Sequence, residues 1–159
     1  MQDVDATLKA MGLDLKRTNP PAGSYVPHLT HNGLVVVSGQ TCKKHGQLVY
    51  RGKIGSDLDL SQGVEAAKLC GLNMVGQLYN ACNGDWSNLA QCLKLTVFVN
   101  CTADFEQLSQ VADGASNLMH ELFGDKGKHT RSAVGANTLP GGATVEIEGI
   151  FALVNNNNI

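Results

Sequence analysis

The segment Gly127–Leu153, GKHTRSAVGANTLPGGATVEIEGIFAL, carries the residues best equipped for chemistry: a guanidinium at Arg131 and, beyond a Gly-Gly turn, carboxylates at Glu146 and Glu148. A guanidinium is a planar fork of donors suited to an anion, and a positioned carboxylate moves protons. Strand alternation puts Glu146, Glu148, Ile150 and Ala152 on one face and Val145, Ile147, Gly149, Phe151 and Leu153 on the other. A hairpin through the "LPGG" turn, residues 139–142, would bring Arg131 beside Glu146 or Glu148. An intrachain ion pair is the ordinary explanation for such neighbours.

Other constellations are weaker. The five cysteines, Cys42, Cys70, Cys82, Cys92 and Cys101, are odd in number and contain no Cys-x-x-Cys pair, so they read as reduced, buried thiols rather than nucleophiles or ligands. His28-x-x-His31 lacks an evident third ligand, and no metal is expected. Lys126, Lys128, His129 and Arg131 form a small basic cluster without the extended charge or aromatic platform of a single-stranded nucleic-acid site. "GDKGK" lacks phosphate-loop spacing, and no Gly-x-Ser-x-Gly is present.

Several elements must position these groups. Val4, Leu8 and Met11 predict a short amphipathic helix over Val4–Leu13, an appendage to the core, followed by an arm that Pro20 and Pro21 hold extended. "LVVVS", Leu34–Ser38, reads as a buried strand entered through Asn32-Gly33, with Tyr25–Thr30 as its hairpin partner and a further strand near Gln47–Tyr50. Apolar spacing from Leu60 to Ala81, behind a capping box of Asp59 and Gln62, predicts a long helix ended by Asn83-Gly84. Gly71 on its apolar stripe predicts close approach of a neighbouring element. Leu93–Val99 alternates as a strand. Asp104 with Gln107 predicts a second capping box, opening a helix through Phe105, Leu108, Ala112, Ala115, Met119 and Leu122 that Gly124 stops. Strands over Arg131–Ala136 and Thr144–Val154 follow, and the tail from 155 to 159 is expected to be disordered.

This order predicts an α+β domain spanning residues 1–154, a mixed sheet with two helices on one face and hairpins joining the first and last strand pairs. The strands "LVVVS" and "IEGIFAL" are apolar on both sides, so the second sheet face predicts self-association. Composition agrees: 159 residues suffice for one core, and 43% hydrophobic against 16% charged residues suggests surface covered by other copies. A net charge of -2 gives no footprint for duplex nucleic acid or an anionic membrane. No apolar run approaches a membrane span, and the start "MQDVDATLKAMG" lacks a secretory pattern, so a cytoplasmic location is expected.

"NPPAGSYVPHL", "VVVSGQ", "KLTVFVN" and "RSAVG…LP…VEIEGI", in this order from about Pro21 to Leu153, resemble the RidA/YjgF family of reactive-intermediate deaminases. The resemblance implies a chorismate-mutase-like fold and a homotrimer whose sheets form a central barrel, with a small-ligand cleft at each subunit interface. It implies that Arg131 holds a substrate carboxylate and that Glu146 positions or activates water. Tyr25 would help close the pocket, and Ser38 with Gly39 would contribute hydroxyl and backbone contacts. Two positions depart from the family's pattern: Ala133 stands where the best-known members carry cysteine, which excludes a thiol mechanism there, and Ser109 stands where many carry asparagine. The N-terminal helix and the longer "KKHGQLVYRGKIGSDL" segment resemble a longer subgroup of the family.

The activity implied is hydrolysis of enamine or imine intermediates of amino-acid metabolism to 2-oxo acids and ammonia, with neither metal nor organic cofactor. Two alternatives stand beside it. One is a module that binds a small carboxylate metabolite without turnover. The other, prompted by relatives described as endoribonucleases or translation inhibitors, is RNA cleavage, although nucleic acid is not the expected partner.

Overall fold

The computed structural model describes residues 3–155. Helix α1 (Val4–Ala10) is capped by Asp3, whose carboxylate accepts from the Ala6 amide at 3.1 Å. It is more than an appendage. Leu8 is completely buried, and the Trp86 indole donates to Asp5 at 2.7 Å, tying α1 to the chain beyond the second helix.

Strands β1 (His28–His31) and β2 (Leu34–Thr41) form the expected hairpin, turned by Asn32 and Gly33 at positive φ. A two-strand ribbon, β3 (Lys43–Lys44) and β4 (Gln47–Leu48), follows. Helix α2 (Leu60–Ala81) opens with the predicted capping box: Gln62 N donates to Asp59 at 2.9 Å, and Asp59 N donates back to the Gln62 side chain at 3.0 Å. Strand β5 is longer than predicted, Leu89–Asn100. Helix α3 (Leu108–Phe123) ends where Gly124 adopts φ 56°.

The predicted capping box at Asp104 does not form. The α3 N-cap is Gln107, without a side-chain cap bond. The reason lies upstream, where Cys101 still bridges Ile54 and the Thr102 amide donates to the Ile54 carbonyl at 3.0 Å. The chain is held extended there and must turn before a helix can start.

Strands β6 (Thr130–Ala136) and β7 (Val145–Leu153) complete a mixed five-stranded sheet in the order β1-β2-β7-β5-β6. The expected hairpin of the last two strands is therefore overturned. Strand β6 runs parallel to β5, and the segment after Ala136 carries the chain past β5 so that β7 pairs antiparallel with both β5 and β2. A short connection permits a hairpin but does not force one when a central strand offers a free edge.

Helices α2 and α3 cover one sheet face, as predicted, over a core that includes Val35, Val37, Leu95, Val97, Ile147 and Phe151. Gly71 answers its expectation, since a Cβ there would stand 3.1 Å from Leu118 and 3.4 Å from Ala115 of α3. Gly114 is tighter still, because its Cβ would stand 3.0 Å from the Val64 carbonyl carbon and 3.2 Å from the Lys68 nitrogen, both α2 backbone. Backbone cannot step aside as a side chain can. Gly114→Ala is expected to cost about 1–3 kcal/mol despite alanine's better helix propensity, read as a lowered midpoint in thermal or urea denaturation; an unchanged midpoint would contradict this packing.

The other sheet face is open. Leu29, Val36 and Ile150 follow one another across β1, β2 and β7, and Leu29 and Val36 remain 62% and 51% exposed. Among the described residues, no helix is long and apolar enough to cross a membrane. The tail beyond residue 155 lies outside the described residues.

Candidate functional site

A cavity of about 590 Å³ opens between the arm before β1 and one end of the sheet. Tyr25 and Pro27 line it from the arm, Gly39, Gln40 and Thr41 from β2, and Glu146 from the start of β7. The register explains this grouping. Gln40 and Thr41 pair with Ile147 and Glu146, and an irregularity between Val37 and Gln40 falls on Ser38 and Gly39, letting β2 bend around the carboxylate.

Gly39 is required by space. A Cβ there would stand 2.8 Å from the Glu146 carboxyl carbon, in the volume the carboxylate occupies. Gly39→Ala is expected to push this carboxylate out of place toward solvent, read as a fall in the Glu146 pKa toward the ordinary carboxylate range in an NMR titration; an unchanged pKa in a folded variant would show that the carboxylate tolerates the added methyl.

Glu146 is half-buried, and burial, with the neighbouring Glu148 charge adding to it, raises its pKa above the usual carboxylate value. Such a carboxyl is a better proton acceptor near neutrality than a solvated one. Tyr25 stands at the rim, about half exposed, its phenol oxygen accepting from the Ala22 amide at 3.1 Å. Ser38 plays another part than expected. Its hydroxyl donates to the Val26 carbonyl at 2.8 Å and its amide to Pro27 at 2.9 Å, so it fastens the arm to β2 and does not line the cavity.

Arg131 is elsewhere. It pairs in register with Leu95 on the helix-covered face of edge strand β6, whereas Glu146 pairs with Phe98 on the opposite face, with β5 between them. The expected intrachain pair with Glu146 or Glu148 is replaced by one to α3. Arg131 Nη1 donates to Asp113 and Ser116 at 2.8 and 3.0 Å, and Nη2 donates to the hydroxyl and carbonyl of Ser109 at 2.7 and 3.3 Å. The network continues to His129. Its Nδ1 lies 2.6 Å from the Gly127 carbonyl and must donate there, so in the neutral ring Nε2 accepts from Ser116 at 2.8 Å. Burial lowers the His129 pKa, and the charge of Arg131 works in the same direction.

Asp113 and Ser116 escaped the sequence reading, although a signal existed: Ser109, Asp113 and Ser116 recur at spacings of four and three, a polar stripe on one helix face. The basic cluster is largely occupied, because Lys126 donates to the Leu89 carbonyl, Lys128 pairs with Asp125 and Arg131 with Asp113.

Residues 5–151 match the family described as "YjgF/chorismate_mutase-like, putative endoribonuclease". The chain is 38% identical over 153 residues to Protein TCP17 of Trypanosoma cruzi, covering 96% of this chain and 95% of that one. Among solved structures, the protein Atu1372 of unknown function from Agrobacterium tumefaciens superposes with a TM-score of 0.86 at 36% identity, over 95% of this chain and 93% of that one. A "putative endoribonuclease" from Shewanella oneidensis does so with 0.89 at 30% identity, over 96% and 100%.

Proposed function

Because the chain belongs to the YjgF/Rid family, with an α+β chorismate-mutase-like fold of three helices and a mixed sheet, we propose that it hydrolyses small 2-imino acids, or the enamines that tautomerise to them, to 2-oxo acids and ammonia. The observation that carries this reading is a half-buried carboxylate of raised pKa, Glu146, on the wall of a cavity sized for a small metabolite.

In the proposed reaction Glu146 accepts a proton from water as the water oxygen bonds to the imine carbon. It returns that proton to nitrogen to give the carbinolamine, then carries the carbinolamine hydroxyl proton to the amine as the C=O bond forms and the C–N bond breaks, releasing ammonia. The Gly39 backbone orients the imine and Tyr25 closes the rim. The substrate carboxylate falls to an Arg131 fork, exchanging with Asp113 for its Nη1 donor. Since Arg131 and Glu146 lie on opposite sheet faces of one chain, the Arg131 that serves a cavity is contributed by a second copy in a homotrimer. Such assembly would also cover the open face around Leu29, Val36 and Ile150.

The test is release of ammonia or 2-oxo acid above the spontaneous rate from freshly generated 2-aminoacrylate or 2-iminobutyrate. Acceleration supports the reading, and its absence in a folded oligomer overturns it.

A further inference from the structure

A second cavity, of about 550 Å³, lies between the turn after α1, the β3–β4 ribbon and α2. Lys16, Arg17, Lys43, Lys44 and His45 line it, and the one carboxylate on its wall is Asp14. That carboxylate is already engaged, accepting from the Lys16 amide at 3.0 Å and pairing with Arg17 at 3.6 Å. Among the described residues, Lys16, Lys43 and Lys44 have no carboxylate within ion-pair distance. In a chain of net charge -2, three uncompensated lysines beside an Asp14–Arg17 pair form a concentration of positive charge that composition does not account for.

The ribbon that carries Lys43 and Lys44 is anchored at its backbone. The ribbon turns through His45 and Gly46, both at positive φ (52° and 77°), a tight two-residue turn. Asn73 of α2 donates to the carbonyls of Thr41 and Lys43 at 2.9 and 2.8 Å, anchoring the ribbon to the helix. The Lys44 ammonium reaches back across the cavity to within 3.7 Å of where a Cβ on Gly12 would stand. The wall carries no Phe, Tyr or Trp, so it offers no surface on which a base would stack. Lysine ammoniums around a concave, non-aromatic site suit a compact, multiply charged anion.

We propose that this second cavity binds the phosphate of a small phosphorylated metabolite. The assignment is independent of imine hydrolysis, although Asn19, Pro20 and Lys43 form a wall common to both cavities, so an occupant would lie directly beside the Glu146 site.

The probe is inorganic pyrophosphate, titrated calorimetrically into the full chain and into a Lys16→Gln/Lys44→Gln variant, two positions that line only the second cavity. Saturable binding is expected at one pyrophosphate per chain, weakened about tenfold or more in the variant and weakened also by added salt. A far-UV spectrum and melting curve matching wild type show that the variant folds. A mutation-free readout accompanies it: pyrophosphate should protect Lys16 and Lys44 of the wild-type chain from acetic anhydride while leaving the exposed Lys128 reactive. Three results would overturn the proposal: no saturation by about 10 mM, equal affinity in a folded variant, or no protection of the two lysines. Tighter binding of a short single-stranded oligonucleotide through the same lysines would replace it with a nucleic-acid site.

Discussion

Arg131→Ala is expected to lower imine hydrolysis about 10²-fold or more while the protein stays folded and assembled. The loss should appear chiefly at low substrate concentration, because the side chain is assigned to the substrate carboxylate. Stability should fall as well, by about 1–3 kcal/mol, because a mostly buried guanidinium loses its hydrogen bonds to Asp113, Ser116 and Ser109. Arg131→Lys is expected to recover little activity, since a single ammonium cannot reproduce the planar fork that reaches Ser109, Asp113 and Ser116 together. Steady-state kinetics with size-exclusion chromatography on each variant supply the check. Full turnover in an assembled Arg131→Ala protein would reduce Arg131 to a strut between β6 and α3.

Glu146→Gln should separate activity from stability. Turnover is expected to fall about 10²–10⁴-fold, the usual contribution of a positioned proton carrier, whereas the folded state should gain stability at neutral pH. The sign follows from the raised pKa. The folded protein holds the Glu146 proton more tightly than the unfolded chain does, so this group favours folding most below its unfolded pKa. That advantage is lost as pH rises through the folded value. Above it the ionised, half-buried carboxylate is a burden that glutamine lacks. Melting temperatures of the two proteins should therefore differ most near neutrality and converge in acid. In wild type, activity should decline as pH falls through the raised Glu146 pKa. A variant less stable than wild type at neutral pH would show that Glu146 is held by favourable contacts.

Helix α2 was legible because every level of the sequence agreed on it: Asp59 and Gln62 formed their box and the apolar stripe met α3 at Gly71. The start of α3 was less legible. Asp104 and Gln107 carry the same local pattern, but the bridge of Cys101 to Ile54 is a contact between distant parts of the chain that no local window contains. Strand order failed for a similar reason. Hydrophobic alternation identified β6 and β7, yet their neighbours depend on which edge of β5 each takes. The short stripe of α1 understated its role because one residue, Leu8, does the burying. Within the candidate site, Tyr25, Gly39 and Glu146 do share a cavity, while Ser38 fastens the arm. Arg131 belongs to another face, a separation invisible until β5 is seen to lie between β6 and β7.

The position of β7 also bears on how the protein is made. Of the described strands, the one that leaves the ribosome last is the one that joins β2 to β5, and the β1–β2 hairpin and the β5–β6 pair have no ladder to each other without it. Before β7 has emerged, the β1–β2 hairpin and the β5–β6 pair cannot join into one sheet, and each keeps an edge that β7 would cover. Closure of this sheet therefore waits until β7 is free of the exit tunnel, and the interval before it is when exposed strand edges can pair wrongly.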